Sequence, residues 1–149
     1  MSERLSDRLR QIVDALALRP GLRVLEIGCG PGAMAREMAR QVGPGGFVLA
    51  IDRSPAAVAQ AAVNSAAEIA AGLLRFRQSS AELFALADGE PPFDLAVAIR
   101  VGALDGRHPG AGQRARAAIR SALVPGGRLL IDGGDPLREV ALDEPRQAT

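Results

Sequence analysis

The residues of this chain with the greatest chemical reach cluster early in it. Glu26 lies inside a short apolar run, and Gly28, Cys29, Gly30 and Gly32 follow directly. Glycines at this spacing let a backbone turn tightly and approach a ligand, because a Cβ there would fill ligand space or oppose a positive φ. A helix beginning directly behind them would aim free N–H groups at the same spot. Asp52 stands 24 residues after Gly28, at the end of the next apolar run, where a carboxylate can accept both hydroxyl protons of a ribose. These residues together point to an adenosine-bearing ligand. Gly28-x-Gly30-x-x-Ala33 also satisfies the dinucleotide pattern that ends in Gly or Ala, so spacing leaves two ligand classes open. Glu26 separates them, because a carboxylate at the base of the loop suits a ligand with an ammonium group and repels a pyrophosphate.

Other reactive side chains carry weaker signals. Cys29 reads as a small residue in a tight turn, since a free Cys behaves as a small hydrophobe. His108, in the glycine-rich stretch from Gly102 to Gly112, is the one candidate general base, although a lone His in a polar loop is more often simply solvated. Arg114, Arg116 and Arg120 read as the solvated face of a helix. All 18 basic residues are Arg, so Schiff-base and Walker-type lysine chemistry are excluded. One Cys and one His cannot build a disulfide framework or a Cys/His zinc site. A net charge of +1, with no Trp or Tyr for stacking, argues against a nucleic-acid partner. No apolar stretch reaches the ~18 residues of a membrane helix and the start, Met1-Ser-Glu-Arg, is charged, so the expectation is a soluble, cytoplasmic protein with no membrane partner.

The elements that must position these residues follow from periodicity. Leu5, Leu9, Ile12, Val13 and Leu16 share one face of a helix from about Ser6 to Leu18, which Pro20-Gly21 ends. Arg23 to Ile27 predicts a strand and Ala33 to Val42 a helix, with the glycine turn between them. Phe47 to Ile51 is a second strand, and Ser54-Pro55 opens a helix predicted to run to about Ala71. That helix is almost all Ala and Val apart from a stripe of Gln60, Asn64, Ser65 and Glu68, so it is expected to be buried on most of its circumference. Leu74 to Gln78 is a third strand, Ala81 to Leu86 a short helix, and Asp94 to Ile99 a fourth strand whose continuous apolar run suits a sheet covered on both faces. A loop from Val101 to Gly112, a helix from Gln113 to Leu123, the turn Val124-Pro-Gly-Gly and a strand from Gly127 to Ile131 complete the series. Strands alternating with helices predict one α/β domain over residues 1–149, a three-layer sandwich around a mainly parallel sheet with right-handed crossovers.

Val24-Leu-Glu-Ile-Gly-Cys-Gly-Pro-Gly32 strongly resembles the first motif of the class I S-adenosylmethionine-dependent methyltransferases of the small-molecule type. Gly46 to Ser54 is similar to the family's second motif, Gln78-Ser-Ser-Ala-Glu82 to its adenine-side loop, Phe93 to Arg100 to its fourth strand, and Leu123 to Ile131 to its approach to strand five. The resemblance covers about Leu18 to Ile131 and implies a Rossmann-like sheet of order 3-2-1-4-5. It implies S-adenosyl-L-methionine as cofactor, with Glu26 and Gly28 to Gly32, Cys29 among them, at its methionine part. Asp52 would take the ribose, Arg53 one face of the adenine, and Ser80 and Ala81 the adenine edge. Arg100 and Val101 would lie near the sulfonium and the substrate.

The chain departs from the family pattern at three places. Asp is usual where Ser80 stands, and a hydroxyl accepts from an adenine amino group without charge assistance. Only 18 residues follow Ile131, so the family's two terminal strands, six and seven, are expected to be absent. The free edge of strand five then suggests a homodimer, since Pro136 and Pro145 suit the tail to a short helix and a frayed end rather than a strand. One helix ahead of the first strand is too short for a lid domain. The sequence therefore predicts methyl transfer to a small-molecule acceptor, with two alternatives: a non-catalytic S-adenosylmethionine-binding or partner domain of the same fold, and a nicotinamide-dinucleotide-binding domain, which Glu26 disfavours.

Overall fold

In the computed structural model, residues 5–142 are described. Helix α1 (Asp7–Leu16) starts where the Ser6 hydroxyl accepts the Leu9 N–H and buries Ile12, Val13 and Leu16. Strand β1 (Arg23–Ile27) leads through the glycine turn into α2 (Ala33–Val42), and β2 (Phe47–Asp52) leads into α3 (Pro55–Asn64), capped by Ser54 with Pro55 in its first turn. A short helix α4 (Ala66–Ala70), β3 (Leu74–Gln78), β4 (Phe93–Ala98), α5 (Pro109–Ala122), β5 (Leu123–Asp132) and β6 (Leu137–Val140) complete the chain. The sheet order is 3-2-1-4-5-6, parallel except for the last pair. Residues of α1 and α2 pack on one face of the sheet with Val24, Val48 and Val97. Ala115, Ile119 and Ala122 of α5 pack on the other with Leu25, Leu49 and Leu129. The α/β class and the order 3-2-1-4-5 are as the sequence predicts.

Five details differ. The segment Pro55 to Ala71 breaks at Ser65 into two helices, and in α3 only Ala61 is buried while Val63 is 74% exposed. Alanine loses little by remaining in water, so an alanine-rich helix need not be an enclosed one. The other fully buried position is Ser65, a member of the expected polar stripe, whose hydroxyl accepts from Nη1 of the buried Arg36 at 3.1 Å. Ala81 to Leu86 is a set of turns rather than a helix, anchored by buried Ala81 and Phe84. The loop after β4 ends at His108, because Pro109 takes the first turn of α5, where its missing N–H costs nothing. Val124-Pro-Gly-Gly lies within β5, where the pairing shifts between Phe93↔Leu123 and Leu95↔Arg128.

The fifth difference is the ending. Strand β6 pairs antiparallel with β5 from Leu129↔Val140 to Asp132↔Leu137. The expected absence of a sixth strand is thus corrected, and the β5 edge expected to be free for a second copy is covered. Leu137 turns its apolar side chain to the core and leaves Arg138 and Glu139 outside, a polar composition typical of an edge. The remainder of the tail, including Pro145, lies outside the described residues. No helix among the described residues is long and apolar enough to cross a membrane.

The Arg36–Ser65 bond yields a stability test. Ser65→Ala removes a buried acceptor from a charged donor and should destabilise the fold by roughly 1–3 kcal/mol in urea denaturation. An unchanged midpoint would show that the bond contributes nothing.

Candidate functional site

The register of the three central strands brings the chemistry together. Ile27 of β1 is level with Ile51 of β2 and Ala98 of β4, so the segments leaving these strands emerge side by side. The Gly28 and Cys29 N–H groups both donate to the Ile51 carbonyl, at 2.8 and 3.0 Å, and the Gly30 N–H donates to Asp52 Oδ2 at 3.0 Å. The other Asp52 oxygen accepts the Ser54 N–H at 2.9 Å. Each carboxylate oxygen has two lone pairs, so Asp52 can still accept from a ligand while holding the loop.

Two cavities meet at this edge. The larger, about 700 Å³, is lined by Asp52, Arg53, Ser80, Ala81 and Glu82 on one side, and by Arg100, Val101, Arg107 and His108 on the other. The smaller, about 310 Å³, lies under α1 and is lined by Glu26, Cys29, Met34 and Leu9. Gly28, Gly30, Ile99 and Arg100 line both. The structure thus collects every sequence-predicted site residue except Gly32, which caps α2 and lines neither cavity.

The three glycines are not equivalent. All have positive φ, at 78°, 52° and 89° for Gly28, Gly30 and Gly32. A Cβ at Gly28 would lie 2.9 Å from Val101 Cγ2, and one at Gly32 would lie 3.0 Å from the Phe76 ring and 3.2 Å from Ala61 Cβ. The positive φ at all three is as expected, and at Gly28 and Gly32 the space a side chain would fill belongs to protein neighbours. Only at Gly30 would a Cβ enter open space.

Glu26 is 3% exposed, level with Ala50 and Val97 in the middle of the sheet. Its Oε1 is buried with no hydrogen-bond partner, as is the Ser80 hydroxyl oxygen. Burial, reinforced by the negative charge of Asp52, pushes the Glu26 carboxyl up from 4.5 to about 8. Burial also pushes the Cys29 thiol up to about 12, with Glu26 and Asp52 adding to the effect, so Cys29 stays a thiol at neutral pH and has no nucleophilic character.

Around these groups stand residues that sequence reasoning missed. Asp132, at the end of β5, accepts the Arg100 N–H on Oδ1 at 3.0 Å and an Arg8 guanidinium N–H on Oδ2 at 3.0 Å. Arg100 has a φ of 60°, a left-handed conformation that costs an L residue about 1–2 kcal/mol and that Asp132 helps to hold. Arg107 donates to Asp105 through Nε at 2.8 Å, and this ion pair holds the Asp105 carboxyl below its usual range. The segment carrying Ser80 and Ala81 is tied to β3 by a bidentate pair between Arg77 and Glu90, at 2.8 and 3.0 Å. A conformational signal of this kind has no local pattern; only the charged residues at strand ends hinted at it.

Comparison with known proteins places this architecture. Residues 18–147 match the family described as methyltransferase domain. The chain belongs to that family. It is 34% identical over 142 residues to nocamycin O-methyltransferase of Saccharothrix syringae, covering 89% of this chain and 46% of that protein. It is 39% identical over 125 residues to a protein-L-isoaspartate O-methyltransferase of Methylorubrum populi, covering 84% and 51%. Among solved structures it resembles an S-adenosylmethionine-dependent methyltransferase from Geobacter sulfurreducens, determined in complex with S-adenosyl-L-homocysteine, with a TM-score of 0.65, 27% identity, and 85% of this chain and 47% of that chain covered. The methyltransferase-family chain described here spans about half the length of these curated relatives.

The buried carboxyl makes stability depend on pH. Between about 4.5 and about 8 the unfolded chain releases the Glu26 proton while the folded chain keeps it. This group's stabilising contribution is therefore complete below pH 4.5 and declines by about 1.4 kcal/mol per pH unit until the folded carboxyl ionises. Glu26→Gln should abolish that decline and become the more stable protein toward pH 8. Thermal melts of both proteins from pH 5 to 8 check this, and parallel profiles would refute it.

Proposed function

We propose that this chain binds S-adenosylmethionine at the carboxyl edge of its sheet and directs methyl transfer to a small-molecule acceptor. The observation that carries the reading is the buried, unpartnered Glu26 oxygen at the base of the glycine loop, beside the open face of Gly30. An orphaned buried acceptor is costly unless something supplies a donor, and an ammonium group supplies a charged one. A pyrophosphate would bring negative charge beside Asp52 and offers no donor to the Glu26 oxygen, which counts against a dinucleotide.

The residues present fit the cofactor's parts. Glu26 would take the ammonium group and surrender its own proton in doing so. The free lone pairs of Asp52 would accept the ribose hydroxyls, and Arg53, Ala81 and the orphaned Ser80 hydroxyl would receive the adenine. Cys29, Gly28 and Gly30 would form the floor beneath the methionine part, with Gly32 fixing the start of α2, and Arg100 stands where the two cavities join. When bound, the cofactor supplies a methyl group already activated by a sulfonium charge. The chain's own contribution is then alignment: it holds the acceptor within ~3–3.5 Å of that methyl, on the side lined by Arg100 to His108. His108 is the one candidate to take a proton from an acceptor that must lose one. The acceptor's being a small molecule accords with the size of the larger cavity, about 700 Å³.

Calorimetric titration with S-adenosylmethionine and S-adenosylhomocysteine tests the site. Both should bind, while NADH should not. Asp52→Asn should weaken binding at least tenfold, since each hydrogen bond to a charged acceptor is worth about 1.5–3 kcal/mol. Gly30→Val should abolish binding by filling the open space. Folded variants that bind as tightly as the parent would overturn the assignment. Binding without turnover over a broad acceptor panel would favour a non-catalytic binding domain.

A further inference from the structure

The larger cavity is electrostatically divided. Its acids, Asp52 and Glu82, belong to the side formed by β2 and the segment after β3. The opposite side, formed by the segment after β4, presents Arg100, Arg107 and His108; the one acid of that segment, Asp105, is paired with Arg107 and does not line the cavity. Resting on the cofactor reading above, we propose that the acceptor carries a carboxylate and that Arg100, Arg107 and His108 form the rim on which that carboxylate docks.

Geometry supports each member. The Arg100 side chain is exposed, has no acid partner among the described residues and lies at the junction of the two cavities. Asp132, which accepts the Arg100 backbone N–H, is already engaged by the Arg8 guanidinium. Arg107 uses Nε for Asp105, which leaves its terminal amino groups available. Arg107 Nη2 and His108 Cδ2 lie 3.1 and 3.2 Å from where a Cβ on Gly102 would stand, so both side chains fold over the same glycine at the cavity mouth. Gly102 is thus the position that lets two donors converge.

Charge gives the rim its preference. A sulfonium in the adjoining space adds a further positive charge, and cations gathered in a partly enclosed volume repel one another more strongly than in water. A neutral or cationic acceptor would leave that repulsion in place, whereas a carboxylate offsets it. The carboxylate also matches a guanidinium in plane and spacing, and a second guanidinium with an imidazole can serve its remaining lone pairs. The same group could be the methyl-accepting atom or a handle that orients another nucleophile; the rim recognises it identically in both cases.

The test uses the full chain, isotope-labelled and saturated with S-adenosylhomocysteine, and follows backbone amide resonances. Benzoate, phenylacetate and hexanoate are titrated beside benzamide, phenylacetamide and hexanamide at constant ionic strength. At least one carboxylate should move the resonances of residues 100–108 and bind tenfold or more tightly than its amide. Arg107→Gln, at an exposed position lining only the larger cavity, should erase most of that preference while leaving affinity for S-adenosylhomocysteine within twofold, and Arg100→Gln should erase it as well. Amides that bind as well as acids, shifts confined to other segments, or no response to any carboxylate would overturn the proposal. Weakened S-adenosylhomocysteine binding in Arg107→Gln would also overturn it, by assigning that guanidinium to the cofactor rather than to the acceptor. A parent protein that fails to bind S-adenosylhomocysteine is a separate result, which overturns the cofactor reading itself.

Discussion

The alignment of Ile27 with Ile51 and Ala98 across three parallel strands is the constraint on which the rest of this molecule depends. It sets the glycine turn level with the end of β2, where the Ile51 carbonyl takes two N–H groups and Asp52 takes a third. It also decides where Glu26 points. Side chains alternate along a strand, so Glu26 shares the face of Val24, beneath α1 and α2, while Leu25 and Ile27 face α5. A slip of one residue would carry the carboxylate to the other face and two core residues away from it. The apolar packing on both faces therefore holds the site in place as well as the fold.

That packing supports two features that oppose stability. Glu26 is a carboxyl in the core with an oxygen left unpaired, and Arg100 holds a left-handed backbone without being glycine. Glu26 lines the smaller cavity and Arg100 the junction of the two, whereas the buried Arg36, which lines neither, is bonded to Ser65 and to the Pro31 carbonyl. Polar burial is satisfied where it is structural and unsatisfied where the cavities open. Such a distribution is expected when strain is retained for binding.

Most of the sheet and the part of the cavity lining made by the glycine loop, Asp52, Arg53, Ser80, Ala81 and Arg100 were legible in the sequence, because β1 to β4 are specified by local patterns; the α1 side, with Arg8 and Leu9, was not. Strand Arg23–Ile27, helix Ala33–Val42 and strand Leu74–Gln78 fall where periodicity predicts. What was not legible depends on distant partners. The alanine-rich stretch after Pro55 reads as enclosed because hydropathy ignores size, and Ser65 reads as exposed because nothing nearby in sequence announces Arg36. Leu137 to Val140 is too short and too charged to read as a strand, and it becomes one only because β5 offers an unpaired edge. The φ of Arg100 is likewise tied to Asp132, 32 residues later. Pro109 read as a loop residue could equally open a helix, and the structure selects the second.

The glycine motif shows why a pattern and a site are different things. Three glycines share a positive φ, yet two of them give way to Val101, Phe76 and Ala61, and only one faces empty space. Replacing Gly28 or Gly32 would disturb how the loop seats against the protein before any ligand arrived. Replacing Gly30 would intrude on the cavities themselves. A motif written as a spacing of identical letters merges these roles, because backbone geometry and ligand clearance both select glycine. The loop's conformation is a property of the fold, whereas Gly30 opens onto cavities lined by the carboxyls of Glu26 and Asp52 and by Arg100.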